Sequence, residues 1–307
     1  MNGRTFVVTN PSAGRGRRAE RVARFRDLLR KHLGEFREFI TERAGQEADA
    51  VDEALRSGCD TIVAIGGDGT WSLVADRIVR SGRTDVALGL LPTGTGNDFG
   101  KTFGLTWDRA DDIVRAIAAR RTQRIDVGRV GERYFLNVVG LGFDIAVIDD
   151  SHRTPWLKGD ALYRFCALRQ LFRFPGIPVT VRGGDGTDSG AGGAVDHLML
   201  VVANGRYFGG SFDIAPDANL TDGSIHVVSI HNAPPLARLR LFDLVGKGRH
   251  ETSERVKVRR GARFEIDVAP SLRYEVDGEV YETSTGRLTV ESVPAAVSLI
   301  VLEGEAR

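Results

Sequence analysis

The residues best suited to chemistry in this 307-residue chain are Gly66, Gly67, Asp68, Gly69 and Thr70. They follow a short apolar run at 61–65, rich in β-branched residues, that reads as a strand buried on both faces. A helix is predicted over 71–80. A strand that ends in glycines and feeds a helix N-terminus presents backbone N–H groups to an anion, usually a phosphate. Asp68 adds a carboxylate inside the turn, where a metal ion or a substrate hydroxyl would meet it. An ordinary strand-to-helix turn using glycine at positive φ explains the same letters, so the surrounding chain has to decide.

Two further turns have similar chemistry. Asn10, Pro11, Ser12, Ala13 and Gly14 run into Arg15, Arg17 and Arg18, combining turn residues with forked donors suited to phosphate. Thr93, Gly94, Thr95, Gly96, Asn97 and Asp98 again pair glycine and hydroxyls with a carboxylate. The elements that must position these turns are strands at 5–9, 36–41, 61–65 and 86–91. Between and after them come helices, one carrying Val22, Phe25, Leu28, Leu29 and Leu33, then 46–56, 71–80 and 110–120. Such alternation predicts a parallel, three-layer α/β domain, whose ligands sit at the carboxyl ends of the strands. All three turns fall at that edge.

From residue 124 the pattern changes. A hairpin of 124–130 and 134–141, then strands near 179–182, 195–204, 224–230, 255–258, 263–268, 273–280 and 287–290, predict an antiparallel sandwich or barrel. Helices at 159–174 and 235–247 interrupt it. The expected domains are 1–124 and 125–295, with an apolar strand at 296–302 returning to the first. Gly183, Gly184, Asp185, Gly186 and Thr187 repeat the first motif, but no helix pattern follows, which marks a loop. Residues 155–174 mix Trp156, Tyr163, Phe165, Phe172 and Phe174 with Lys158, Arg164, Arg169 and Arg173. That mixture suits an anionic membrane surface or an apolar channel, and also a core helix with arginines on its wet face.

The 42 Lys and Arg against 41 Asp and Glu argue against a nucleic-acid partner. Cys59 and Cys166 fit neither a zinc site nor a disulfide framework and suit a reducing compartment. The start of the chain lacks a signal-peptide core, and no run of about 18 apolar residues is present. A soluble cytoplasmic protein is the expectation.

The chain resembles the bacterial diacylglycerol kinase and sphingosine kinase catalytic-domain family of soluble lipid kinases. The matching stretches are NPSAGRGR (10–17), GGDGT (66–70), LPTGTGNDFGK (91–101), IDVG (125–128), VANGRYFGGSFDIAPDANLTDG (202–223) and VDGE (276–279), in family order over nearly the whole chain. The resemblance implies an α/β nucleotide domain, a β-rich second domain and an active site between them. It implies ATP contacts from Asn10 to Gly14, Thr41, Gly66 to Trp71 and Thr95. Asp68, Asp98 and Asp126 would organise a catalytic Mg2+, and Glu279 would be the general base, a role that sphingosine kinases are described as giving to the counterpart of Asp68. Asn219, Asp222 and Ser224 match the loop that holds a structural Mg2+ in some bacterial members, Asp222 as its carboxylate ligand and Asn219 and Ser224 through backbone oxygens. Trp71-Ser72-Leu73 departs from the usual Leu-Asn-Glu after the glycine motif, so Trp71 is expected to alter the nucleotide pocket or lie beside the adenine.

The expected reaction is ATP- and Mg2+-dependent phosphorylation of diacylglycerol or a related lipid alcohol, at the inner face of the membrane by peripheral contact. Homodimerisation is left open. Positioning and charge neutralisation are what phosphoryl transfer chiefly needs. The alternatives are an NAD kinase or other soluble-substrate kinase that shares the glycine turn, and a lipid- or nucleotide-binding regulator with weak catalysis.

Overall fold

Uninterrupted apolar, β-branched segments build the centre of the first domain. In the computed structural model β1 (Thr5–Thr9), β2 (Arg37–Ile40), β3 (Thr61–Gly66) and β4 (Ala87–Pro92) pair in parallel in the order β4-β3-β1-β2. Every residue of β3 and β4 is buried, as strands covered by helices on both faces must be. The covering helices are α1 (Arg17–Leu33), α2 (Gln46–Arg56), α3 (Asp68–Arg80), the short α4 (Asp98–Thr102) and α5 (Ala110–Ala118). The structure describes residues 5–11, 17–43, 45–94, 96–154, 157, 159–185, 193–210 and 212–304, without the side chains at 17, 18, 159–161, 163 and 164.

The second domain is antiparallel and sandwich-like. Its strands are β5 (Thr122–Val130), β6 (Arg133–Phe135), β7 (Val138–Gly142), β8 (Ile177–Gly183), β9 (Val195–Ala203), the short pair β10 (Tyr207–Phe208) and β11 (Phe212–Asp213), β12 (Ile225–His231), β13 (Val256–Gly261), β14 (Arg263–Asp267), β15 (Arg273–Val276), β16 (Glu279–Glu282) and β17 (Arg287–Ile300). Period-2 alternation divides its core between two faces. Along β9, Met199, Val201 and Ala203 join the cluster of Phe143 and Leu241 on one side, while Leu200 and Val202 join that of Phe264 and Ile266 on the other. The helices α6 (Phe143–His152), α7 (Gly159–Arg173) and α8 (Pro235–Gly246) accompany this domain.

Four details differ from the sequence reading. The predicted strands 287–290 and 296–302 are one strand, β17, kinked between Val293 and Val297 where Ala295 has φ 48°. Its end pairs in parallel with β4, Ser298 opposite Ala87. Predicted strand 273–280 contains a two-residue turn at Asp277 (φ 47°) and Gly278 (φ 95°), the Asp-Gly hairpin chemistry in which both central residues have positive φ. Predicted strand 134–141 is broken at Leu136 and Asn137, for a reason given below. Helix α6 is missing from the sequence reading because Phe143, Ile145 and Val147 are all buried and apolar residues surround it, which hides the 3.6-residue period.

The second copy of the glycine motif ends β8. The Asp185 amide donates to Arg260 O (2.8 Å), so the turn packs on β13. Gly186 and Thr187 lie outside the described residues.

Candidate active site

The parallel register levels the carboxyl ends of three strands: Thr9 opposes Ile65, and Gly66 opposes Pro92. At this edge Asn10 Nδ2 donates to Thr70 Oγ1 and to Glu47 Oε1, both at 3.1 Å, tying the first turn to the second. Gly66, Gly67 and Gly69 do not have positive φ, which removes the ordinary explanation for them. At Gly66 the reason is space, since an added Cβ would stand 2.6 Å from Thr70 Cβ. Gly66→Ala must therefore push β3 and α3 apart. A loss of about 1–3 kcal/mol, the cost of overpacking, is expected in urea denaturation.

Helix α3 begins at Asp68, three residues earlier than the sequence suggests, with extended Gly67 as its N-cap. Its first N–H groups consequently lack intrahelical acceptors and are available to an anion. Asp68 in turn accepts the amides of Asp98 (Oδ2, 3.1 Å) and Phe99 (Oδ1, 3.1 Å), fastening the third turn to the second. Asp98 accepts Lys101 Nζ at 2.6 Å and the Gly210 amide at 2.7 Å, which brings the second domain to the same place. Burial, then the neighbouring Asp98 charge, with a smaller push from Asp277, drives the Asp68 carboxyl up to about 6.

Lys101 offsets one charge at Asp98, and the acidic pair of Asp68 and Asp98 still fits a divalent cation. Among the described residues no three His, Cys, Asp or Glu form a ready-made cage. Asp126, the third expected carboxylate, is held by backbone amides as Asp68 is. Its two oxygens accept the amides of Ala295 (2.7 Å) and Gly223 (2.6 Å), so it pins the β17 kink and the 219–224 loop to β5. In the loop expected to hold a structural cation, the side-chain bonds leave the backbone oxygens of Asn219 and Ser224 untouched. Asn219 Oδ1 holds the Thr221 amide and hydroxyl, while Asp222 accepts the Ser224 amide and the Arg260 guanidinium (2.6 Å), which neutralises it from within the chain.

On the second domain, the turn between β15 and β16 faces this edge. Asp277, buried, accepts the amides of Leu136 (2.7 Å), Asn137 (3.0 Å) and Val138 (2.8 Å). Those three donors face a carboxylate instead of a neighbouring strand, which is why β6 and β7 separate there. Asp277 is also hydrogen-bonded to Ser72 of α3, a bond between the domains. Glu279, two residues on, is exposed and has no side-chain hydrogen bond to other described residues. It reaches the glycine motif: a Cβ on Gly69 would lie 3.5 Å from Glu279 Oε1. Gly69, Ser72, Asp76, Arg133, Tyr281 and Glu279 line the cleft there.

Behind the turn, Glu275 Oε1 accepts the Gly278 amide at 3.1 Å. Buried Asp144 lies nearby, neither of its oxygens having a hydrogen-bond partner among the described residues. Burial pushes both acids up, Glu275 from 4.5 to about 8, helped by the charges of Asp144, Asp277 and Asp98. A carboxyl raised in the folded state stabilises fully below its unfolded pKa and loses that contribution as pH rises through the folded one. Thermal stability should thus fall between about pH 4.5 and 8. Glu275→Gln should flatten the slope and raise Tm at pH 8 by at least about 2–4 °C, the shift expected from 1 kcal/mol in a domain of about 150–250 residues, the size of the second domain.

Among the residues expected to contact a nucleotide, Asn10, Pro11, Thr41 and Gly66 to Thr70 gather at the sheet edge. Thr41 is buried there, its amide bonded to Thr9 O at 2.9 Å. Ser12, Ala13, Gly14 and Thr95 lie outside the described residues. Trp71 is a correction: it is fully buried, Nε1 donating to Ala64 O at 3.2 Å and the ring against Gly100, so no part of its side chain reaches a nucleotide. The bulk replaces core volume, not pocket. Sequence reasoning missed Asp277, Glu275, Asp144 and Glu47. Only Asp277 carried a signal, as the Asp of the Asp-Gly hairpin beside Glu279.

Residues 4–130 match the model of the diacylglycerol kinase catalytic domain, and 137–301 match the YegS C-terminal NAD kinase beta sandwich-like domain. The chain is 28% identical to a diacylglycerol kinase of Mycobacterium tuberculosis, covering 97% of this chain and 95% of that one. It is 33% identical to a Pseudomonas putida protein named "Probable lipid kinase YegS-like", covering 85% and 83%. A solved diacylglycerol kinase structure from Bacillus anthracis shares the fold, with a TM-score of 0.74 at 20% identity over 98% of this chain and 97% of that one.

Proposed function

The chain belongs to the diacylglycerol kinase family of lipid kinases, and from that premise we propose that it transfers the γ-phosphate of ATP, with Mg2+, to the hydroxyl of diacylglycerol or a related lipid alcohol. The observation that carries this reading is the meeting of Gly69 and Glu279, 210 positions apart in the sequence, at one cleft between the domains. The free N–H groups opening α3 hold the phosphates, as helix N-termini do. Asp68 and Asp98 would hold the Mg2+, which when bound neutralises charge on the transferring phosphoryl group. The lipid hydroxyl oxygen forms the new bond to the γ-phosphorus as the bond to the β-bridging oxygen breaks and ADP leaves. Glu279 takes the hydroxyl proton, a role that needs only hydrogen-bond reach. Asp68 is less suited to that task because both of its oxygens are held by backbone amides.

The assay is purified protein with ATP, Mg2+ and mixed micelles of diacylglycerol, monoacylglycerol or sphingosine, with NAD as the soluble alternative. Lipid phosphorylation without NAD phosphorylation is expected. Turnover of NAD alone, or of nothing, overturns the reading. Among the described residues no helix is long and apolar enough to cross a membrane, so peripheral contact at the inner face of the cytoplasmic membrane forms part of the proposal.

A further inference from the structure

Large apolar side chains that remain exposed are concentrated in one place. Of the seven among the described residues, five stand on two helices: Phe165 (38% exposed), Leu168 (52%) and Phe172 (54%) on α7, and Leu236 (77%) and Leu239 (40%) on α8. The spacings i, i+3, i+7 and i, i+3 put each set on one helical face. The core-helix reading of 155–174 therefore covers only half of α7. Cys166 and Leu171 pack inward while the aromatic and leucine stripe points out.

The two helices form a built platform. Arg238 of α8, itself buried, donates to Leu171 O of α7 (2.7 Å), Ala233 O (2.7 Å) and Asn232 Oδ1 (2.8 Å). A guanidinium spent on three fixed acceptors locks the orientation of α8 to the end of α7. Beneath the platform, Leu198, Met199, Ile230, Leu241, Phe242 and Val245 line a small apolar hollow. Helix α6 connects platform to site. Phe143 packs on Phe174 and Phe242, and the next residue, Asp144, lies against Gly140 beside Glu275.

The charge around the stripe selects its partner. Residues 159–174 and 234–249 contain seven Lys and Arg and two acids, Asp160 and Asp243, in a chain balanced at 42 to 41. Arg169 is bound to Asp150 and Arg238 is buried, but Arg173 and Arg240 are exposed beside the stripe and have no carboxylate partner among the described residues. Apolar side chains ringed by unpaired arginines fit the headgroup and acyl boundary of an anionic bilayer.

We propose that the outer faces of α7 and α8 are the surface by which this protein docks on anionic membranes, seating the hollow beneath α8 at the bilayer. The proposal rests on the lipid-kinase reading for its biological sense, yet its test is separate from catalysis. Wild-type protein and the variant Leu168→Ser/Phe172→Ser/Leu236→Ser are sedimented with phosphatidylcholine vesicles, with and without one quarter phosphatidylglycerol. The wild type should bind the mixed vesicles, and the triple variant at least about 10-fold more weakly, since inserted apolar area sets such affinity. Melting curves check folding, and turnover of micelle-dispersed dioctanoylglycerol checks the active site. Arg173→Glu/Arg240→Glu should lose the preference for phosphatidylglycerol while melting like wild type.

Equal vesicle binding by wild type and triple variant overturns the proposal, as does binding by neither. So does a wild-type dimer in light scattering that the triple variant makes monomeric, which would assign the face to a second copy. Vesicle binding without lipid turnover would leave the docking surface standing and sink the kinase reading.

Discussion

Glu279→Gln is expected to lower kcat on the lipid substrate by about 10²–10⁴-fold, the usual contribution of a positioned general base, while leaving Tm within 1–2 °C of wild type, since exposed substitutions of this kind change stability by about 0.5 kcal/mol or less. The contrast follows from its placement. Glu279 is exposed, bonds to no described side chain or amide, and points at Gly69, so its removal unmakes no structural contact. KM for ATP should change little, because the proposed phosphate site is the α3 N-terminus and not β16. Asp68→Asn gives the opposite profile: activity falls and stability falls with it, because Asp68 accepts two amides that fasten α4. The single-turnover rate and a melting curve for both variants separate the two roles. If Glu279→Gln retains full activity with a lipid alcohol, Glu279 is not the proton acceptor.

The central strands β1, β3 and β4 were legible because each is a run of mostly apolar residues that leads into a turn rich in glycine or proline, whereas β2 (Arg37–Ile40) carries two charges and is half exposed. What could not be read were features set by contacts distant in sequence. The break at Leu136 and Asn137 is imposed by a carboxylate about 140 positions later, and nothing local in 134–141 signals it. The join of 287–290 to 296–302 depends on Asp126 accepting the Ala295 amide, which lets Pro294 sit in a kink within one strand. In the site, residue types were legible but their partners were not. Asp126 and Asp222 have the chemistry of metal ligands, but nothing local announces the amides of Gly223 and Ala295 or the Arg260 guanidinium that they bind. Trp71 looked like a pocket residue because it follows the motif. In a helix the residue three positions past Asp68 turns towards the sheet, and there it meets Ala64.

Asp277→Ala should be the most damaging single change for stability. Three buried amides would lose their shared acceptor, at about 1–3 kcal/mol each. Alanine must also hold φ near 47°, which costs an L-residue without a local hydrogen bond roughly 1–2 kcal/mol more. Together these reach about 4 kcal/mol or more, a large part of the roughly 5–15 kcal/mol that holds a typical domain folded. Asp277→Asn separates the causes. Asparagine tolerates the same φ and keeps one acceptor oxygen, so it should lose less stability. It also removes a charge that pushes both Asp68 and Glu275 upward, so both carboxyls should titrate lower than in wild type. Activity should fall in both variants even where folding survives, because Asp277 links Ser72 of α3 to the turn that carries Glu279. Urea midpoints with kcat/KM for both variants test this. Equal midpoints for wild type and Asp277→Ala would show that the three amides find other acceptors, and that the turn holds Glu279 against Gly69 through the β15–β16 pairing alone.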